Sequence, residues 1–162
     1  MSSNSTMLPD SLRTGDLSAI ALDLARTPGL WRHAVRFRSD RREHTQIVVS
    51  PDYEAWLLTW LPGQHTDVHD HGGSAGALTV IQGRLHETLP DPDGCAAPVE
   101  RVLEAGAVHT FGEAHVHAVA NLALEPAVSL HVYAPRLRSM TRYSVIGRRL
   151  EVAGVERAGA DW

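Results

Sequence analysis

Polar and apolar positions follow two regimes along the chain. Near the start, Leu17, Ile20, Ala21 and Leu24 recur at the spacing of a helix with one buried face, and Asp16 stands where it can cap that helix. Pro28-Gly29 is expected to end it. A short amphipathic piece follows over residues 31–37, and residues 36–42 read as a charged turn. Beyond Arg42 the period shortens. Residues 45–49 are rich in β-branched side chains, residues 55–61 are densely apolar, and residues 77–89 alternate around Gly83. Further strands are predicted over residues 101–103, 108–111, 116–124, 127–134 and, in the tail, 150–155, with glycine and proline turns between them. Short strands at this spacing describe an all-β barrel or sandwich with small helices packed outside it. Residues 1–15 are expected as a flexible start and residues 16–162 as one domain, with no internal repeat.

Composition narrows the function classes. With 162 residues, 43% of them hydrophobic and 21% charged, the chain can bury a real core. Fifteen basic residues against 19 acidic ones give a net charge of −4, so nucleic acid is not an expected partner. No apolar run approaches the roughly 20 residues that span a membrane. The first residues have neither the basic nor the apolar stretch of a secretory signal. The single cysteine, Cys95, has no partner for an internal disulfide, which fits a reducing cytoplasm. A cytoplasmic monomer is the expectation.

The ten histidines, set against two phenylalanines, carry the chemistry. His69 and His71 are two apart, so on a strand they project from one face with Cα atoms about 6.5–7 Å apart. Such a pair can grip one ion or be a simple surface or core pair. A second pair, His115 and His117, lies downstream, with Asn121 four residues beyond His117. Gly63, Gly76 and Gly83 frame the first pair; Gly106 and Gly112 precede the second. This spacing resembles the two metal-binding motifs of the cupin superfamily. The resemblance implies facing strands of a small barrel and a third histidine closing a facial triad. Many cupins carry Glu where this chain has Gly76, so the ligand set would be three neutral imidazoles. Such a set keeps the full charge of a divalent ion and favours an anionic, chelating substrate. Imidazoles suit Fe, Zn, Cu or Ni.

Ser129, His131 and Tyr133 alternate with Val128, Leu130 and Val132. The polar face is either a solvated outer face or an internal one whose groups pair with each other, since dry unpaired groups are costly. Four motifs stand together here. They are H-D-H at 69–71, G-x-L-x-E-T at 83–88, H-x-V-x-N at 117–121 and S-L-H-V-Y-x-P at 129–135. Over residues 45–143 the chain resembles the cysteine dioxygenase family, the thiol dioxygenases of the cupin superfamily.

The resemblance implies a double-stranded β-helix, or jelly roll, behind short N-terminal helices. It implies Fe(II) held by His69, His71 and His117, with His115 as the competitor for the third place. Ser129, His131 and Tyr133 would form a relay whose tyrosine hydroxyl points at substrate and oxygen. The activity implied is addition of both atoms of O2 to a small thiol to give a sulfinic acid. L-Cysteine is the first choice of substrate, which places the chain in cysteine metabolism. The alternatives are 3-mercaptopropionate, or a metal-binding cupin that holds a small ligand without turnover.

Gly76 stands where vertebrate members carry the cysteine cross-linked to the tyrosine, so the chain resembles the uncross-linked bacterial type. The family's substrate carboxylate pairs with an arginine on an early strand, and Gln46 aligns there. A slip of two residues brings His44 instead. Arg42 could serve in another register, as could the rim arginines Arg136, Arg138 and Arg142. His33, His65, His86 and His109 read as surface or hydrogen-bonded residues, and Trp56 and Trp60 as core and pocket wall.

Overall fold

The computed structural model of the chain describes residues 13–158. Helix α1 (Thr14–Ala25) carries Leu17 and Ala21 on its buried face, as the periodicity predicts. Arg13, not Asp16, holds the cap position. The Asp16 carboxylate closes the first turn from inside, accepting the Arg13 backbone N–H at 3.0 Å. Thr14 and Gly15 therefore belong to the helix rather than to a flexible start; residues 1–12 of that expectation lie outside the described residues. Pro28 opens a short helix α2 (Pro28–Trp31), where its fixed φ suits the first turn, and a 3-10 turn (Arg32–Ala34) follows.

The rest is strand. A five-stranded antiparallel sheet runs in the order β1 (Glu43–Val49), β2 (Glu54–Trp60), β9 (Ala127–Ala134), β4 (Ala75–Gln82) and β7 (Val108–Phe111). One three-stranded sheet is β11 (Arg149–Arg157), β10 (Ser139–Ile146) and β3 (Val68–His69); the other is β6 (Val99–Glu104), β5 (Arg84–Leu89) and β8 (Ala118–Ala120). The central strands β2 and β9 are buried at every position. The reason is that α1 covers the outer face of the large sheet. Leu17 and Ala21 pack there on Ala55, Ala77, Leu130 and Val132. Trp56, Leu58, Trp60, Leu78, Val80, Tyr133 and Phe111 form the inner core with Leu85, Leu103 and Val119 of the third sheet. The alternation of β9 thus has two buried faces, an aliphatic one under the helix and a polar one inside.

Three predicted boundaries shift. The strand over 77–89 is cut at Gly83, which has φ +74° and whose Cβ would lie 2.7 Å from the Pro126 carbonyl. Only glycine fits that turn, and it sends the chain from the large sheet to the third one. The strand over 116–124 shrinks to β8, although His117 still exchanges two backbone hydrogen bonds with His69, at 2.9 and 3.0 Å. Finally, the tail contributes two strands, β10 and β11, in place of one. Among the described residues no helix is long and apolar enough to cross a membrane.

β10 has a task at the H-D-H motif. Asp70 accepts backbone N–H bonds from Gly72 at 3.0 Å and Thr141 at 2.9 Å, and the Tyr143 hydroxyl at 2.8 Å. The middle residue of the motif is therefore a clamp that fixes the backbone between the two histidines. Asp70→Ala should lower stability by about 1–3 kcal/mol, the range for stranding donors of this kind. An unchanged denaturant midpoint would show that the clamp carries no weight.

Candidate metal centre

His69 ends β3, His71 follows two residues later, and His117 precedes β8, so backbone pairing of 69 with 117 brings the three rings together. Their ligand nitrogens lie within 4.8 Å of one another, and all three residues are buried. Two tautomers are set by neighbours. His69 Nδ1 donates to the Asp67 carbonyl at 2.8 Å, and His117 Nδ1 donates to Glu87 Oε1 at 2.7 Å. Each therefore turns Nε2 toward the common point. His71 is fully buried, with neither ring nitrogen hydrogen-bonded among the described residues. Phe111 stacks on its ring at 4.8 Å.

Burial pushes the His69 pKa down to about 3, with the neighbouring His117 adding to the effect. Burial likewise drives His71 and His117 down. Neutral, converging imidazoles with an otherwise unpaired pair of nitrogens are what a metal ion needs, and the set fits one. His115 is not part of it. Its Nε2 donates to Glu87 Oε1 at 3.1 Å, behind His117.

Beside the triad the inner face of β9 forms a chain of hydrogen bonds. Trp60 Nε1 can only donate, and it gives its proton to Ser129 Oγ at 2.9 Å. The buried Ser129 hydroxyl also hydrogen-bonds to His131 Nε2 at 2.9 Å. His131 Nδ1 in turn lies 3.3 Å from the Tyr133 oxygen. Burial pushes the Tyr133 pKa up and the His131 pKa well down, so the phenol stays protonated and the imidazole neutral.

A cavity of about 210 Å³ opens onto these groups, lined by His69, His117, His131 and Tyr133 with Leu58, Trp60 and Val119 as apolar wall. Its volume suits a small molecule rather than a drug-sized ligand. Arg42 enters it from the edge of β1. Its guanidinium carbon sits 4.7 Å from the centre of the Trp60 ring, and its Nη1 is buried with no hydrogen-bond partner among the described residues. Burial pushes its pKa down to about 10, so it remains a cation at neutral pH. At the mouth, Arg142 bridges Glu156 at 2.8 Å and Asp67 at 3.4 Å.

Gln46 lies elsewhere. It is exposed, does not line the cavity, and donates to Glu54 Oε2 at 2.8 Å. A bulge between Gln46 and Val48 breaks the register just there. The structure thus brings His69, His71, His117, Ser129, His131 and Tyr133 together and leaves Gln46 out. The sequence places Arg42 only among the alternatives, Trp60 as wall and Glu87 within a motif; the structure puts Arg42 in the cavity, Trp60 Nε1 against Ser129 and Glu87 against His117 and His115. Glu87 could have been found by parity, since it shares the inward side of β5 with Leu85.

Gly76 pairs directly with Tyr133 in the neighbouring strand. A Cβ added there would lie 2.3 Å from Phe111 Cζ and 2.7 Å from the Val132 carbonyl. The Phe111 ring occupies the space a side chain at 76 would take.

The comparisons agree with this geometry. Human cysteine dioxygenase type 1 is 31% identical over 136 residues, covering 78% of this chain and 67% of that protein. The Danio rerio cysteine dioxygenase type 1 is 29% identical over 141 residues, covering 80% and 69%. The fold is shared with a solved protein from Thermus thermophilus, at a TM-score of 0.56 and 25% identity over 65% of this chain and 93% of that one. It is shared too with a Klebsiella pneumoniae protein that has a double-stranded β-helix domain, at 0.56 and 22% over 64% and 80%. The family profile described as cysteine dioxygenase type I matches residues 16–146, and the chain belongs to that family.

Proposed function

We propose that the protein is an Fe(II)-dependent thiol dioxygenase whose substrate is a short thiol bearing a carboxylate, with L-cysteine as first choice. The observation that carries this reading is the cavity itself. His69 and His117, whose ligand nitrogens converge with that of His71, face one small space together with a phenol and a buried guanidinium with an unpaired N–H. A protein that only binds a ligand has no use for the Trp60–Ser129–His131–Tyr133 chain.

His69, His71 and His117 would hold the iron, which supplies Lewis acidity toward the thiol and the one-electron chemistry that oxygen requires. Arg42 grips the substrate carboxylate by a charge-assisted hydrogen bond, while Trp60 keeps the guanidinium in place. Tyr133, which burial keeps protonated, donates a hydrogen bond into the reacting region, with His131 Nδ1 holding its oxygen from behind. Leu58, Trp60 and Val119 exclude water. The reaction balances as R–SH plus O2 giving R–SO2H, with both oxygen atoms bound to sulfur and the thiol proton retained by the product. We place the enzyme in the cytoplasm as a monomer; the free, exposed Cys95 thiol suits a reducing compartment.

The test is anaerobic loading with Fe(II), followed by oxygen uptake with L-cysteine, 3-mercaptopropionate and cysteamine. One O2 consumed per thiol, with two labelled oxygens in the product, supports the reading; absence of thiol-dependent uptake overturns it. Arg42→Gln should raise KM for the carboxylate-bearing thiols by about 10- to 100-fold, the loss expected for a charge-assisted bond. KM for cysteamine should not move. A larger loss from Arg142→Gln would transfer the anchor to the mouth.

A further inference from the structure

Three neutral imidazoles leave the double charge of a divalent ion uncompensated. Glu87 stands behind one of them. It is 3% exposed, on the inward side of β5. Its Oε1 accepts His117 Nδ1–H at 2.7 Å and His115 Nε2–H at 3.1 Å. Its Oε2 is buried without a hydrogen bond among the described residues, 3.8 Å from the Arg101 guanidinium. A carboxylate this deep is tolerated only when paired, and two ring N–H groups converge on one of its oxygens.

Glu87, His115 and His117 could themselves form a ligand set. However, the Nδ1 of His117 and the Nε2 of His115 are already committed to the carboxylate. Glu87 therefore acts from behind the centre. The ligand position that a cupin glutamate could take is closed, because Phe111 fills the space beside Gly76.

We propose that Glu87 is a positioning residue of the metal centre. It holds His117 with Nε2 toward the ion, and through that imidazole it delivers the negative charge that the three ligands lack. His115 fixes the carboxylate oxygen that does this. A ligand whose rear N–H meets a carboxylate is a stronger donor, and removing such a partner commonly costs 10- to 100-fold in metal affinity. The inference rests on His69, His71 and His117 being the metal ligands.

Two readouts other than turnover test it, the anaerobic Fe(II) dissociation constant and the Fe(III)/Fe(II) midpoint potential. Glu87→Gln keeps an acceptor oxygen for His117 but removes the charge. It should weaken Fe(II) by about 10- to 100-fold and raise the potential, because the ferric ion loses more than the ferrous. Glu87→Asp keeps the charge and should return the potential toward the parent value, and near-UV circular dichroism of the metal-free proteins checks the fold. If Glu87→Gln matches the parent in both readouts, or if Glu87→Asp shifts the potential as far as Glu87→Gln, the proposal fails. If His115→Ala abolishes binding as fully as His71→Ala, the ion sits in the rear set and the proposal fails. A parent protein that binds no Fe(II) overturns the metal centre itself.

Discussion

His71→Ala should leave a protein that folds normally and no longer retains iron. Two ligands of three hold a labile ferrous ion poorly, and the loss in affinity should exceed the roughly 100-fold attributed to partners behind a ligand. His71 is the informative choice because its ring nitrogens hydrogen-bond to nothing else among the described residues. His69→Ala also cuts the bond to the Asp67 carbonyl, and His117→Ala also strands Glu87. Removing His71 deletes two unsatisfied buried polar atoms, so the metal-free variant should melt no lower than the metal-free parent despite the space it opens. Iron content after anaerobic loading and thermal melts with and without metal make the comparison. Full iron occupancy in His71→Ala, or full occupancy in His117→Ala with loss in His115→Ala, would show that the triad is wrongly drawn.

Tyr133→Phe is expected to bind iron like the parent and to lose turnover by about 10- to 1000-fold, the scale for removing one oriented donor from an active site. The phenol is the end of a buried hydrogen-bonded chain that runs back through His131 and Ser129 to Trp60. Phe keeps the ring in the core and takes away only the oxygen. The expected signature is a lower kcat with iron stoichiometry unchanged, measured by oxygen uptake and metal analysis on the same sample. Equal turnover in the two proteins would remove Tyr133 from the chemistry.

Much of this was legible before any coordinates. The histidine pairs, the asparagine that follows and the Ser129, His131, Tyr133 alternation are local patterns, and local patterns survive in a sequence. What decided whether the β9 polar face was wet or dry was α1, packed on the opposite face from more than 100 residues away in the chain. Alternation alone gives both answers. Gln46 went astray for a related reason. One bulge after it and one carboxylate, Glu54, are enough to take its amide out of play, and neither follows from spacing. Arg42 looked like part of a charged turn, and only the Trp60 ring beneath it distinguishes a cavity cation from a surface one. β10 is hidden because Ser139, Thr141, Arg142 and Ser144 dilute its apolar signal, while its value lies in the two bonds it supplies to the Asp70 carboxylate.

The direct backbone pairing of His69 with His117 has a mechanical consequence. His69 ends a strand of one three-stranded sheet and His117 directly precedes a strand of the other, and their exchanged hydrogen bonds are a seam between the two sheets. An ion gripped from both sides of that seam acts as a rivet, and its binding energy becomes resistance to the sheets parting. At a free metal concentration of about 100 times Kd the linkage amounts to about 2.7 kcal/mol. A chelator would then soften the molecule along this one line first, with hydrogen exchange quickening at His69 and His117 before it quickens in the helix-covered sheet.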